Sequence, residues 1–247
     1  MQEQKRVVEK SPPLKKDDLI VITGAGGFIA GNLALYFRKR GFTNIRAVDK
    51  KPLYEWYLHV PGVQNLCLDV SQEANCHHVC EGAVEVYNLA ADMGGMGFIE
   101  RFRVECLRSI LINTHMVEAA YRAGAQRYFF SSSACAYNTL LQQDPSVRAL
   151  KESDAYPAMA ERGYGWEKLI SEQFCQEYWH ERGLKMNRKY NLHTPQGVAG
   201  RNSDNTLIKK VLKCEPNTRL VKGLAVTYAW IAEQYHARKA GKRVGIG

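Results

Sequence analysis

Short apolar runs alternate with longer amphipathic stretches along the chain from Leu19 onward. The apolar runs, each bounded by polar or glycine residues, predict strands at Leu19–Thr23, Ile45–Val48, Asn65–Leu68, Val84–Leu89 and Tyr128–Ser131. The stretches with helical periodicity predict helices at Gly27–Lys39, Gln72–Cys80, Ile99–Arg122 and Gly163–Arg182. Strands that are apolar on both faces and alternate with helices indicate an α/β fold with a doubly wound parallel sheet.

After Arg182 the alternation of apolar runs and amphipathic stretches becomes weaker. Leu184–Tyr190 predicts one further strand, and short helices are expected near Asn205–Lys213 and Leu220–Gln234. A segment of this length is too short to bury a core of its own. We therefore expect one large domain at 18–190 and, over 191–247, a reduced C-terminal region that packs onto it.

Charge and cysteine content narrow the class of protein. The chain carries 34 Lys and Arg against 25 Asp and Glu, a net charge of +9, but the basic residues are scattered. Scattered charge is typical of a solvated surface, which argues against nucleic acid as a partner, and it also suits a diphosphate-bearing substrate. Seven cysteines without a disulfide framework indicate free thiols in a reducing compartment, so we expect a cytoplasmic protein.

Three further features argue against a signal peptide, a membrane span and a metal site. Residues 1–17 are charged and have no apolar core, which predicts a disordered tail and not a signal peptide. No apolar run reaches the ~20 residues that a membrane span needs. The run Cys76–Cys80, with its two internal histidines, has no second ligand pair nearby. It therefore predicts a structural helix and no metal site.

The segment Ile20–Ala30 combines a strand, a glycine-rich turn and the start of a helix. Gly24 and Gly27 allow a tight turn and let the backbone approach a pyrophosphate. The first helical residues, Phe28 and Ile29, lie where the helix N-terminus would face that negative charge. The combination predicts a dinucleotide-binding domain of the Rossmann type.

Asp49 ends the next predicted strand, about 25 residues after the first glycine. An acid at this position accepts hydrogen bonds from the ribose 2′-hydroxyl and repels a 2′-phosphate. We therefore expect NAD to be bound in preference to NADP. Lys50 and Lys51, beside the acid, weaken this preference.

Tyr164 and Lys168 are four residues apart and therefore share one face of a predicted helix. A nearby ammonium lowers the pKa of a phenol toward working pH, which makes tyrosine a usable base. Ser133 closes a run of three serines at the end of the fifth predicted strand, and ligands of doubly wound sheets bind beyond such ends. We predict that Tyr164, Lys168 and Ser133 converge on one substrate hydroxyl.

Five segments carry a family resemblance: Thr23–Ala30, Asn88–Phe98, Ser132–Cys135, Tyr164–Lys168 and Gly200–Asn205. Through them the chain resembles the extended short-chain dehydrogenases/reductases, and among these the GDP-mannose 3,5-epimerases. The resemblance covers about 19–185 and resumes at about 195–235. It implies an enzyme that uses NAD, acts on a nucleotide-diphosphate sugar and assembles as a homodimer.

The resemblance also implies roles for individual residues. Tyr164, assisted by Lys168 and Ser133, takes the proton of the sugar's 4-hydroxyl while NAD accepts the C4 hydride. Cys135 matches one member of the acid/base pair that inverts C3 and C5, although a free cysteine is also commonly a buried small hydrophobe. The implied cofactor contacts are Gly24, Gly27, Phe28, Ile29, Asp49, Asp69 (toward the adenine), Tyr164 and Lys168, and the implied substrate contacts are Gly94, Ser133, Cys135 and Ser203.

The sequence departs from the family pattern after the predicted catalytic helix. Leu184–Tyr190 passes almost directly into Pro195–Val198, which resembles the family's far C-terminal region. The block between them, with the lysine of the epimerising pair and the residues that hold the diphosphate, has no counterpart. Asn138 also replaces a proline of the family pattern. Two hypotheses follow: an epimerase-like enzyme or related dehydratase, either complete or reduced to partial reactions, and a catalytically silent or truncated NAD-binding protein.

Overall fold

A parallel six-stranded sheet forms the centre of the molecule. The computed structural model describes residues 12–143, 149–184, 186–187, 204–213 and 217–241. The strands are β1 (Leu19–Thr23), β2 (Ile45–Asp49), β3 (Gln64–Cys67), β4 (Ala83–Asn88), β5 (Arg127–Phe130) and β6 (Met186–Asn187). They are arranged in the order β3-β2-β1-β4-β5-β6, and all neighbours pair in parallel. The strand order reverses between β1 and β4, which is where ligands of doubly wound sheets bind.

Helices cover both faces of the sheet, as the apolar strands predict. The helices are α1 (Phe28–Lys39), α2 (Glu73–Cys80), α3 (Met96–Arg101), α4 (Arg103–Arg122), α5 (Tyr164–Arg182), α6 (Thr206–Leu212) and α7 (Leu220–Lys239). Ile20 and Ile22 of β1 face the core cluster that includes α1, whereas Val21 faces the cluster that includes α2 and α4. The Rossmann-type doubly wound fold is therefore confirmed.

The prediction of one long helix over Ile99–Arg122 is wrong, because the structure contains two helices in this region, α3 and α4. The backbone of Phe102 leaves the helical region, with φ −116° and ψ 51°, and separates α3 from α4. The hydrophobic pattern runs through the break, since Ile99 of α3 and Cys106 of α4 pack in the same core cluster. The Phe102 ring packs on that of Phe98, with centroids 4.9 Å apart.

The disordered tail predicted for residues 1–17 is wrong over 12–17. Leu14 packs against the core cluster of β1 and α1. The Lys16 carbonyl accepts a hydrogen bond from the Thr43 amide at 2.8 Å, and the Pro12 carbonyl accepts one from the Arg127 guanidinium at 3.1 Å. Residues 1–11 lie outside the described part of the chain. The tail residues nearest the domain thus cover its edge, an arrangement that charge and proline content do not reveal.

The C-terminal helices pack onto the large domain. The Trp230 ring of α7 contacts Phe28 and Tyr57, with centroids 5.3 and 6.3 Å away. The Asp204 amide, just before α6, donates to the Leu150 carbonyl at 3.0 Å. Of the strand predicted at Leu184–Tyr190, the described part contains β6 and the buried Leu184. Within the described residues, no helix is long and apolar enough to cross a membrane.

Candidate active site

The turn after β1 is built from positions that admit only glycine. Gly24 has φ +73°, and a Cβ there would lie 2.8 Å from the carbonyl oxygen of Leu89 at the end of β4. A Cβ on Gly26 would lie 2.9 Å from the Trp56 ring. Gly27 precedes α1 as its N-cap and provides no side-chain cap. The turn therefore presents bare backbone in the crevice between β1 and β4.

This turn fits the pyrophosphate of a dinucleotide. The first N–H groups of a helix have no intrahelical acceptor and carry a partial positive charge. At the start of α1 these groups belong to Phe28 and Ile29, whose side chains are exposed. A phosphate can therefore approach the backbone of Gly24 and Gly27 without meeting a Cβ and face these amides.

The Asp49 carboxylate lies beside the glycine-rich turn, at the carboxyl end of β2. It accepts hydrogen bonds from the Gly26 amide at 3.0 Å and from the Lys51 amide at 2.9 Å. These two amides fix the carboxylate where a ribose would lie. Lys50, which was expected to weaken the preference for NAD, pairs with Asp92.

We expect Asp49→Ala to reduce discrimination between NAD and NADP by roughly tenfold or more, because the variant loses the charge that opposes a 2′-phosphate. Titration of both cofactors against the native protein and the variant measures this. Asp17→Ala, at an exposed position outside the site, is the matched control. Equal affinities of the native protein for the two cofactors would contradict the expectation.

Asp69 lies two residues beyond β3 and shapes the start of α2. Its carboxylate accepts the Ser71 amide at 2.8 Å, and its carbonyl accepts the Asn75 side chain at 2.9 Å. These bonds account for its conformation, so its contact with adenine stays a prediction. The run from Cys76 to Cys80 is helical, with both cysteines buried, as predicted.

Tyr164, Ser133 and Lys168 come together beyond the carboxyl end of β5. Tyr164 is the first residue of α5, and Lys168 follows it one turn later. The Ser133 hydroxyl lies near enough to the Tyr164 phenol to lower the pKa of that phenol. The Lys168 ammonium lies 5.5 Å from the centre of the Tyr164 ring and 4.7 Å from that of Phe130. The structure therefore brings the three predicted residues together, with Tyr164 and Lys168 buried and Ser133 half-buried.

The expectation that the pKa of the Tyr164 phenol lies near working pH is wrong for the protein without cofactor. Burial raises the pKa of Tyr164 well above its usual value, and the charges of Glu167 and Cys135 raise it further. The Ser133 hydroxyl opposes this rise. Desolvation is the largest cause because the phenol is itself buried.

Cys135 lies in the same cluster, and its role as an acid or base stays a prediction. It is buried, as expected of a small hydrophobe, and it packs with Tyr164, Ile99 and Cys106. Cys106 was not predicted, since it carries no motif and lies at an ordinary core position of α4. Burial raises the pKa of its thiol. The site therefore contains two thiols beside the tyrosine.

Three other predicted positions have different outcomes. Gly94 precedes α3, and a Cβ there would lie 2.9 Å from Phe98, so the close approach requires glycine. Asn138 caps a short turn by accepting the Leu140 amide at 3.0 Å. Ser203 lies outside the described residues. Among the described residues, no group of three or more metal-binding side chains is arranged to hold an ion.

The fold and this cluster define an α/β dinucleotide-binding protein with a tyrosine, a lysine and a serine at the carboxyl end of its sheet. Residues 20–214 match the model of the NAD dependent epimerase/dehydratase family. The chain belongs to that family, and its cofactor is NAD.

Individual relatives narrow the comparison. The GDP-mannose 3,5-epimerase of Arabidopsis thaliana is 30% identical, over 90% of this chain and 84% of the relative. GDP-mannose 3,5-epimerase 1 of Oryza sativa subsp. japonica is 29% identical, over 89% of this chain and 83% of the relative. The Arabidopsis alignment runs over 325 positions, whereas 90% of 247 residues is about 222. Roughly 100 of its positions therefore have no residue of this chain opposite them.

Solved structures share the fold. UDP-glucose 4-epimerase from Brucella ovis, in complex with NAD, has a TM-score of 0.56 at 21% identity, over 68% of this chain and 50% of that one. UDP-glucose 4-epimerase from Thermotoga maritima, with UDP-glucose, has a TM-score of 0.56 at 18% identity, over 68% and 53%. The chain thus spans about half the length of these structures.

Proposed function

We propose that the chain is an NAD-dependent epimerase-like enzyme that oxidises and restores C4 of a nucleotide-diphosphate sugar, GDP-mannose. The observation that carries this proposal is that buried Tyr164 and Lys168 lie together with half-buried Ser133 at the carboxyl end of the sheet. The similarity to plant GDP-mannose 3,5-epimerases supports the choice of sugar.

Residues around the switch point would hold the cofactor. The bare backbone of Gly24 and Gly27, with the first amides of α1, binds the pyrophosphate, and Asp49 binds the adenosine ribose. We assign Asp69 to the adenine. NAD, when bound, supplies the acceptor for the C4 hydride and a positive charge beside the phenol.

The chain's own side chains manage the protons. Tyr164 removes the proton of the 4-hydroxyl, and the Ser133 hydroxyl orients that oxygen. The Lys168 ammonium stabilises the phenolate. Oxidation at C4 gives a ketone that acidifies the protons on C3 and C5. Cys135, in contact with this cluster, is the acid or base for one of those carbons, and Gly94 and Ser203 contact the sugar.

Inversion at both carbons needs a second acid or base on the opposite side of the sugar. The family places a lysine there, in the block that follows β6. We place the roughly 100 unmatched positions of the Arabidopsis alignment in that block. The nucleotide then also loses contacts that position the sugar. We infer partial chemistry at C4 with slow epimerisation, and a catalytically silent NAD-binding protein is the alternative.

We further propose a cytoplasmic homodimer. Cytoplasmic placement is supported by the free thiols of the described cysteines, which suit a reducing compartment. A dimer is supported by an exposed apolar face on α4 and α5, two helices packed side by side. That face consists of Val104, Leu107, Leu111, Trp166, Ile170 and Phe174.

We expect GDP-mannose deuterated at C4 to transfer its label to NAD when all three are incubated together. In deuterated water, unlabelled GDP-mannose should gain deuterium at C3 and C5 far more slowly than the order of 1 per second typical of enzymes. Mass spectrometry of the cofactor and NMR of the sugar measure the two events. Cys135→Ala should keep the C4 transfer and lose the remaining exchange.

Two outcomes would decide against this proposal. Absence of label transfer, with the sugar bound, would favour the catalytically silent alternative. Rapid deuterium entry at both C3 and C5 would show that another residue replaces the missing lysine. Lys189 and His193, which lie outside the described residues, are the first to test in that case.

A further inference from the structure

A line of buried polar side chains crosses the protein from the glycine-rich turn to α5. The Thr23 hydroxyl donates to the Asn88 carbonyl oxygen at 2.7 Å, and the Asn88 amide donates to the Asn113 side-chain oxygen at 2.9 Å. The Asn113 amide donates to the Ser171 hydroxyl at 3.0 Å and to the Glu167 carboxylate. All five side chains are buried. The line ends on a carboxylate next to Lys168.

The two oxygens of Glu167 have different partners. Oε1 accepts hydrogen bonds from Asn113 and from the Ser171 hydroxyl. Oε2 accepts no hydrogen bond from the described residues and lies 3.8 Å from the Lys168 ammonium. Among the described residues, this is the one ion pair of Lys168, whose other near neighbours are the rings of Phe130 and Tyr164.

Such a carboxylate has a physical consequence for the lysine. Burial disfavours the charged form of an ammonium, and an opposite charge within about 4–6 Å restores it. Burial lowers the pKa of Lys168, and Glu167 is the largest opposing cause. The other titratable groups facing this pair and the phenol are Glu172 and Cys175 of α5, Cys106 of α4 and Cys135.

We propose that Glu167 is a positioning residue, whose oriented carboxylate keeps the Lys168 ammonium charged and against the Tyr164 ring. Asn113 and Ser171 hold one oxygen, so the other faces the ammonium. The inference rests on the proposed function only in assuming that Lys168 assists Tyr164 in catalysis. The ion pair itself is present without cofactor or sugar. Glu167 acts through Lys168 and contacts neither the cofactor nor the sugar.

Titration of Lys168 in the protein without ligands tests this directly. Lysine labelled isotopically at Cε reports its own protonation by NMR, and the Lys168 signal is identified by its absence in Lys168→Met. We expect Glu167→Gln to lower the titration midpoint of Lys168 by roughly 1–3 pH units. Glu177→Gln, which removes an exposed charge from the same helix, should leave the midpoint unchanged.

A double variant covers the case in which Glu167→Gln fails to fold at 25 °C. If the lost charge is what matters, Glu167→Gln with Lys168→Met removes both members of the pair and recovers at least half of the loss in Tm. If Glu167 serves only to bond Asn113 and Ser171, the second substitution brings no recovery, and the proposal is overturned. An unchanged Lys168 midpoint in a folded Glu167→Gln variant overturns it as well.

These readouts separate the inference from the function proposed above. A shifted midpoint without any C4 label transfer from GDP-mannose would support the role of Glu167 and refute the enzymatic proposal. Label transfer with an unshifted midpoint would do the reverse.

Discussion

Substitution of Gly165 by alanine is expected to destabilise the protein by about 3 kcal/mol, as overpacking of a core does. On an exposed helix the same change usually stabilises by up to ~1 kcal/mol, because glycine is the poorer helix former. Here a Cβ would lie 2.2 Å from the carbonyl oxygen of Cys135 and 3.0 Å from its carbon. Both atoms belong to the backbone, so α5 must move away from the segment that carries Ser133 and Cys135.

Gly223→Ala is the matched control for this substitution. Gly223 also lies within a helix, and the nearest atom to its Cβ would be Thr218 Cγ2 at 3.7 Å, an ordinary contact. We expect this variant to be neutral or slightly more stable. Urea denaturation at equilibrium measures both. Similar midpoints for Gly165→Ala and the native protein would show that the two segments separate without cost.

Removal of the Tyr164 hydroxyl is expected to slow hydride transfer from C4 by about 10²–10⁴-fold, the usual contribution of a positioned acid or base. Tyr164→Phe keeps the buried ring and its packing with Cys135, so NAD affinity should stay within a few-fold of the native value. Because burial raises the pKa of the phenol, the native rate should also increase with pH through the neutral range. This increase should vanish in the variant.

Stopped-flow measurement of NADH formation with GDP-mannose follows the rate at each pH. Tyr178→Phe is the control, since it lies on the same helix and its hydroxyl bonds Glu118 on the far side of α4. A Tyr164→Phe variant as fast as the control would exclude the tyrosine as the base and would make the thiols of Cys106 and Cys135, which pack with Tyr164, the next groups to test.

The part of the fold predicted from sequence is the part governed by local signals. The first five strands lie within one or two residues of the apolar runs, because in a covered sheet both faces of a strand must be apolar. The positions of Tyr164 and Ser133 follow from helix periodicity and from the rule that ligands bind at strand ends. These signals depend on residues that are neighbours in sequence, so they can be recognised without knowing the tertiary contacts.

The features that were missed depend on contacts between distant residues. The break at Phe102 carries no proline or glycine, and the packing of Leu14 depends on a partner surface that the tail itself does not encode. Glu167 reads in sequence as an ordinary polar residue of a helix. Its contacts in the core are a hydrogen bond from Asn113, 54 positions earlier in the chain, and the ion pair with Lys168. The raised pKa of Tyr164 likewise reflects the full depth of burial around it.

The buried polar line from Thr23 to Glu167 constrains how this sequence can diverge. Each side chain along it forms a hydrogen bond with a neighbour that has no access to water. Replacing one member alone therefore leaves a buried polar group without its hydrogen bond, which costs about 1–3 kcal/mol of stability. A native protein has only about 5–15 kcal/mol of stability to lose. Drift at Asn88 or Asn113 is therefore tied to compensating change elsewhere along the line. We therefore expect these positions to change together among related sequences, even though they lie on strands and helices far apart in the chain.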